Sequence, residues 1–99
     1  MSAKKLVDPA SAMTKDLLVC NKLGIHARPA ALFVKTANRF SCDIFVEKDG
    51  EKVNGKSIMG LMMLAAGQGS KLRIRCDGPD ADKAMEELDQ LIKAGFNED

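Results

Sequence analysis

Cys42-Asp43-Ile44-Phe45-Val46-Glu47-Lys48-Asp49-Gly50-Glu51-Lys52-Val53-Asn54 decides the fold. Cys42, Ile44 and Val46 alternate with Asp43, Phe45 and Glu47. That period of two describes a strand with one buried face and one wet face. Asp49-Gly50 is a hairpin turn, because both central residues of the favoured two-residue turn need positive φ. A short strand over Glu51 to Asn54 therefore returns antiparallel to the first. Leu72, Ile74 and Cys76 alternate in the same way with Lys71, Arg73 and Arg75, and Lys15 to Cys20 reads as a further strand.

Between these strands the period changes. From Ala27 to about Arg39, Ala30, Phe33, Val34 and Ala37 fall on one helical face. Gly55-Lys56-Ser57 opens a short apolar helix from Ile58 to about Ala66, which Gly67-Gln68-Gly69 ends. In it Leu61, Leu64 and Ala65 are expected to face the core. Asp80 is expected to cap a last helix with Ala84, Leu88, Leu91 and Ile92 inward. The order β-α-β-β-α-β-α, with cleanly alternating strands, predicts an α+β domain: an antiparallel sheet with helices on one face.

Composition narrows the function. A chain of 99 residues is one small domain with room for a single core. Its formal net charge of +1 lacks the basic excess of a dedicated nucleic-acid binder. The face Lys71, Arg73 and Arg75 is expected to be solvated sheet without interleaved aromatics, so neither nucleic acid nor a base-stacking platform is expected. Cys20, Cys42 and Cys76 form no CxxC pair, so no metal site or redox dithiol is expected, and three free thiols suit the cytoplasm. No apolar run has the length of a membrane span. Residues 1–14 read as a flexible extension and 15–99 as the domain. No nucleotide loop, Ser-His-Asp set or metal cluster marks an autonomous enzyme, and no cofactor is expected.

His26 is the only histidine. Pro29 is tolerated only in the first turn of a helix, which places His26 at or beside the N-cap. There the free N–H groups and the positive end of the helix dipole favour both a neutral ring and a bound anion. A neutral ring nitrogen has a lone pair to attack phosphorus, and Arg28 carries donors suited to phosphate. The residues alone leave a simple capping role for His26 equally open.

Asn21-Lys22-Leu23-Gly24-Ile25-His26-Ala27-Arg28-Pro29-Ala30 resembles the active-site stretch of HPr, the histidine-containing phosphocarrier family of the bacterial phosphoenolpyruvate-dependent phosphotransferase system. Asn54-Gly55-Lys56-Ser57-Ile58-Met59-Gly60-Leu61-Met62 resembles the family's second signature, around a regulatory serine. The resemblance implies an open-faced β-sandwich of four antiparallel strands with three helices on one face. It implies phosphorylation of His26 at Nδ1 with Arg28 beside the phosphate, enzyme I as donor and IIA domains of sugar transporters as acceptors. Ser57 matches the serine modified by HPr kinase/phosphorylase, although serine is also a favoured N-cap. The ending Gly95-Phe96-Asn97-Glu98-Asp99 resembles the nitrogen-related branch, which leaves a nitrogen-branch carrier or a Ser57-controlled effector as alternatives.

A short helix on a small domain cannot bury its whole circumference. Ile58, Met59 and Met62 are therefore expected to form an exposed surface for several partners. Ala31 and Lys35 on the first helix, with Lys56, are expected to extend that surface towards acidic partners. The acting form is expected to be a monomer without membrane insertion.

Overall fold

The computed structural model describes residues 12–98. The strands are β1 (Ala12–Leu18), β2 (Asp43–Lys48), β3 (Glu51–Asn54) and β4 (Lys71–Asp77). The helices are α1 (Ala27–Ala37), α2 (Ile58–Met63) and α3 (Ala81–Lys93), followed by a 3-10 turn over Gly95–Asn97. The strands form one antiparallel sheet in the order β1-β4-β2-β3. The domain is thus the expected α+β open-faced sandwich.

The hairpin forms as its residues require. Asp49 and Gly50 both adopt positive φ, 52° and 85°, while Lys48 pairs with Glu51 on either side. The core lies between the sheet and the helices. Leu17, Ile44, Val46, Leu72, Ile74 and Cys76 supply its sheet side. Ala30, Phe33, Val34 and Ala37 of α1 and Ala84, Met85, Leu88 and Ile92 of α3 close over them.

Several boundaries differ from the sequence reading. Strand β1 starts at Ala12, and Ala12, Met13 and Thr14 pair with Asp77, Cys76 and Arg75. These three residues have little strand character of their own; the exposed edge of β4 recruits them. The rest of the expected extension lies outside the described residues. Helix α2 ends at Met63, because Ala65 turns into the left-handed region at φ 50°. That turn exposes Ala65 and buries Ala66 in its place. Leu91 is only half-buried, and Met85 occupies the core beside Leu88 instead.

Asp80 stands at the N-cap of α3 without bonding its helix. Its carboxylate accepts from the N–H groups of Ser41 and Cys42 at 2.8 and 2.9 Å, tying the start of β2 to the start of α3. On the uncovered sheet face, Arg73 pairs with Asp16 and Arg75 with Asp77. Phe45 also lies on this face, opposite Arg75, contrary to the expected lack of aromatics there. It is half-buried with the Lys52 amine 5.0 Å from its ring centre, so it is covered by a cation.

One acidic residue is buried on the helix side. Asp89 of α3 accepts from the Lys15 amine of β1 at 2.6 Å and lies 3.1 Å from the Lys93 amine. The bond from Lys15, and then Lys93, holds the Asp89 carboxyl below the usual range against the opposing effect of burial. The Asp80 carboxyl is likewise lowered, first by the N–H of Ser41. A carboxyl with a lowered folded pKa stabilises above its unfolded value, and that contribution is lost as pH falls through the folded value. The thermal midpoint should therefore be flat near neutrality and fall below about pH 4–5. The double variant Asp80→Asn, Asp89→Asn should start lower and fall less steeply; an unchanged acid slope would show that other groups govern it.

Candidate functional site

His26 occupies the N-cap of α1 in extended conformation, with φ −89° and ψ −167°. Pro29 is therefore the third residue of the helix, where its missing N–H costs nothing. The helix starts at this point because the preceding loop is fastened to a neighbouring segment. The N–H of Ile25 donates to the carbonyl of Ala66 at 2.8 Å, and that of Gly69 to Val19 at 2.7 Å. Gly24 fits between them at φ 70°; a Cβ there would lie 2.3 Å from the Ala66 oxygen. Only glycine satisfies both the positive φ and the close approach.

The imidazole is not a simple cap: it makes no side-chain bond to its own helix. Its Nε2 instead lies 2.9 Å from Oε2 of Glu98. The other oxygen, Oε1, accepts from Nδ2 of Asn21 at 2.9 Å, and the same nitrogen donates to the carbonyl of Gly24 at 2.8 Å. Both amide protons of the buried Asn21 are thus used. Exchanging the amide oxygen and nitrogen would set three acceptors against each other, which fixes the orientation. The His26 side chain is 38% exposed and that of Glu98 14%. Among the described residues Nδ1 makes no hydrogen bond, and the N–H groups of Ala27 and Arg28 have no intrahelical acceptor.

The site's electrostatics follow from this contact set. The Glu98 carboxyl is held below its usual range, first by the Asn21 amide and then by His26 and the charge of Arg28, against burial. Arg28 is exposed and makes no ion pair among the described residues. Two thiols that could compete as nucleophiles are disabled. Burial, then Asp80, pushes Cys42 up to about 11, and burial, then Cys42, pushes Cys76 to about 12. Among the described residues no three His, Cys, Asp or Glu side chains gather as a metal site. No described helix is long and apolar enough to cross a membrane.

Ser57 caps α2 as its residue type predicts, with Oγ accepting from the N–H of Gly60 at 3.0 Å. Beyond it Ile58, Met59 and Met62 are 42, 75 and 43% exposed, and Met63, absent from the expected surface, is 68% exposed. Helix α2 packs beside α1, on which Ala31 and Lys35 are exposed. Lys56 differs from expectation. Its amine donates to the carbonyl of Phe40 at 2.7 Å, so it also binds the β3–α2 turn to the chain leaving α1.

Asn21 and Glu98 are site residues that sequence reasoning did not single out as such. The usable signal lay at the chain end. Gly95 at φ 64° stops α3, and the fully buried Phe96 that follows pulls the chain back towards the loop before α1. An apolar aromatic just past a helix-stopping glycine marks such a return.

The fold is an open-faced sandwich that presents one half-exposed imidazole at a helix start. The family described as the PTS HPr component phosphorylation site matches residues 13–94. The chain belongs to the HPr family of phosphocarrier proteins. It is 56% identical over 79 residues to the HPr-like protein Crh of Halalkalibacterium halodurans, covering 80% of this chain and 94% of that one. It is 48% identical over 84 residues to the phosphocarrier protein HPr of Xylella fastidiosa strain 9a5c, covering 85 and 94%. The crystal structure of HPr-C-His from Thermoanaerobacter tengcongensis superposes with a TM-score of 0.85 at 47% identity, covering 88 and 98%.

Gly24→Ala would force both a left-handed alanine and a clash with the 66–67 backbone. It should lower stability by about 2–4 kcal/mol in urea unfolding. A loss under about 1 kcal/mol would mean that the loop can detach from Ala66 without consequence.

Proposed function

We propose that His26 is the phosphoryl-bearing residue and that Nδ1 is the atom modified. The observation that carries this reading is the half-exposed ring at the start of α1 with Nε2 engaged by Glu98 and Nδ1 unengaged among the described residues. The Nδ1 lone pair attacks phosphorus, and the transferred group then lies beside the N-terminal end of an eleven-residue helix. The N–H groups and dipole there stabilise added negative charge, typically by about 0.3–1 kcal/mol. Arg28 supplies a mobile cation for the phosphoryl oxygens.

In this reading enzyme I is the donor and IIA domains of sugar transporters are the acceptors, within the cytoplasm. The acting unit in this reading is the monomer, which presents His26, Asn21 and Glu98 together. Ala31, Lys35, Ile58, Met59 and Met62 form the docking surface, with Lys56 at its margin. Flexible, polarizable methionines suit a surface that meets several partners in turn. Ser57 is the control point. HPr kinase/phosphorylase would place about −1.5 to −2 charge at the rim of that surface, repelling acidic partners without unfolding the domain.

Incubated with enzyme I and labelled phosphoenolpyruvate, the protein should gain one acid-labile, base-stable phosphoryl group. His26→Ala should gain none; persistent labelling of that variant would end the carrier reading. Arg28→Ala should slow transfer while leaving the melting midpoint nearly unchanged, since the side chain is exposed and outside the core.

Ser57→Ala should lose about 1 kcal/mol of capping and accept phosphate normally. Ser57→Asp should keep stability within about 1 kcal/mol while raising the apparent KM for enzyme I. Equal affinity of the parent and Ser57→Asp for enzyme I would leave Ser57 as a helix cap alone.

A further inference from the structure

We propose that Glu98 is a positioning residue: it holds His26 in the Nε2–H tautomer before transfer and keeps that proton on the ring while Nδ1 bears the phosphoryl group. The inference rests on the carrier reading and adds a role for a carboxylate at the opposite end of the chain. The geometry is specific. Glu98 Oε2 is 2.9 Å from Nε2 and its side chain is 14% exposed, while Oε1 is anchored by the buried amide of Asn21. An acceptor fixed at Nε2 selects the tautomer with its proton there and the lone pair at Nδ1.

The electron count shows why the proton matters afterwards. The Nδ1 lone pair forms the N–P bond, and the bond from phosphorus to the donor breaks with its pair leaving on the donor. The ring becomes a cation that still carries Nε2–H. In onward transfer the N–P pair returns to Nδ1, and the ring departs as neutral imidazole. If Nε2 has lost its proton, the leaving group is an imidazolate anion, which departs far less readily. A carboxylate against Nε2–H thus favours the transferable form at both stages, as an acid paired with a histidine does in nucleophilic catalysis.

Among the described residues the surrounding charges are few. The Glu98 carboxyl is lowered first by the Asn21 amide and then by His26, with the charge of Arg28 of α1 adding a smaller effect. The loop before α1 contributes the neutral amide of Asn21 and, beside it, the exposed Lys22, while the 65–67 segment contributes only neutral residues. The nearest lysine on the final turn of α3, Lys93, is engaged with Asp89.

The test uses the full chain labelled with 15N, as parent, Glu98→Gln and Glu98→Ala. Long-range 1H–15N correlation of the unphosphorylated ring should show the Nε2–H tautomer alone in the parent. Glu98→Ala should show mixed tautomers with faster exchange of the ring proton. This measurement needs no phosphoryl group, so it stands even if the carrier reading fails. The proteins are then phosphorylated with phosphoramidate, a small donor that requires no protein partner, and phosphoryl loss is followed against pH. Near about pH 7.5 Glu98→Ala should lose the group roughly fivefold more slowly than the parent, consistent with loss of one charged hydrogen bond at a partly exposed site. Glu98→Gln, which keeps an acceptor without the charge, should fall between. Identical tautomers and identical pH profiles in parent and Glu98→Ala would overturn the proposal. Failure of His26 to take phosphate from enzyme I, with the tautomer difference intact, would overturn the carrier reading and leave the positioning role standing.

Discussion

The hydrogen bond from Ile25 N–H to the Ala66 carbonyl is the constraint from which the site is built. It docks the loop before α1 onto the chain leaving α2, with Gly24 pressed against the 66–67 backbone. The placing of the histidine follows from that docking. It sets where α1 can begin, and so makes His26 the N-cap. It buries Asn21 at 1% exposure, where its amide must find partners on the protein. It also sets α1 beside α2, so that the two helices share one surface.

Asn21 then joins two distant parts of the chain. The same nitrogen that holds the Gly24 carbonyl holds Glu98, 77 residues away. The C-terminal segment can reach it because Phe96 is buried beyond the end of α3. The site is thus a clasp between a loop that glycine lets press against the 66–67 backbone and a tail anchored by an aromatic side chain. A carrier must be accessible to partners yet hold its ring in one orientation. A half-exposed imidazole gripped at one nitrogen meets both demands.

The remainder of the molecule separates its paired charges from most of its exposed apolar side chains. The outer sheet face is laced by paired charges, Arg73 with Asp16 and Arg75 with Asp77, and Lys52 covers the lone aromatic there. Such exposed pairs contribute little energy, and Leu18, opposite Lys71, is an exposed apolar side chain among them. Exposed apolar side chains concentrate instead on α2, where Met59 and Met63 point outward. Lys56 borders that helix, and its amine ties the carbonyl of Phe40.

The alternation of Ile44 and Val46, the Asp49-Gly50 turn and the spacing of Ala30, Phe33, Val34 and Ala37 determined the layered fold, because local period alone says which face is buried. Pro29 limited the start of α1 to within one turn upstream, and so put His26 at or beside the N-cap, because proline lacks the N–H that an interior turn requires. Ser57 was legible as a cap for the same local reason. The start of β1 was not, since Ala12 to Thr14 become strand only by pairing with β4. Nor was the end of α2, where a left-handed Ala65 exchanges its expected burial with Ala66. The grip of Glu98 and Asn21 on the ring was decided by tertiary structure alone. Those side chains are 72 and 5 residues from His26, and no local period relates them; only the packing of Phe96 and the docking of Gly24 bring them to one place.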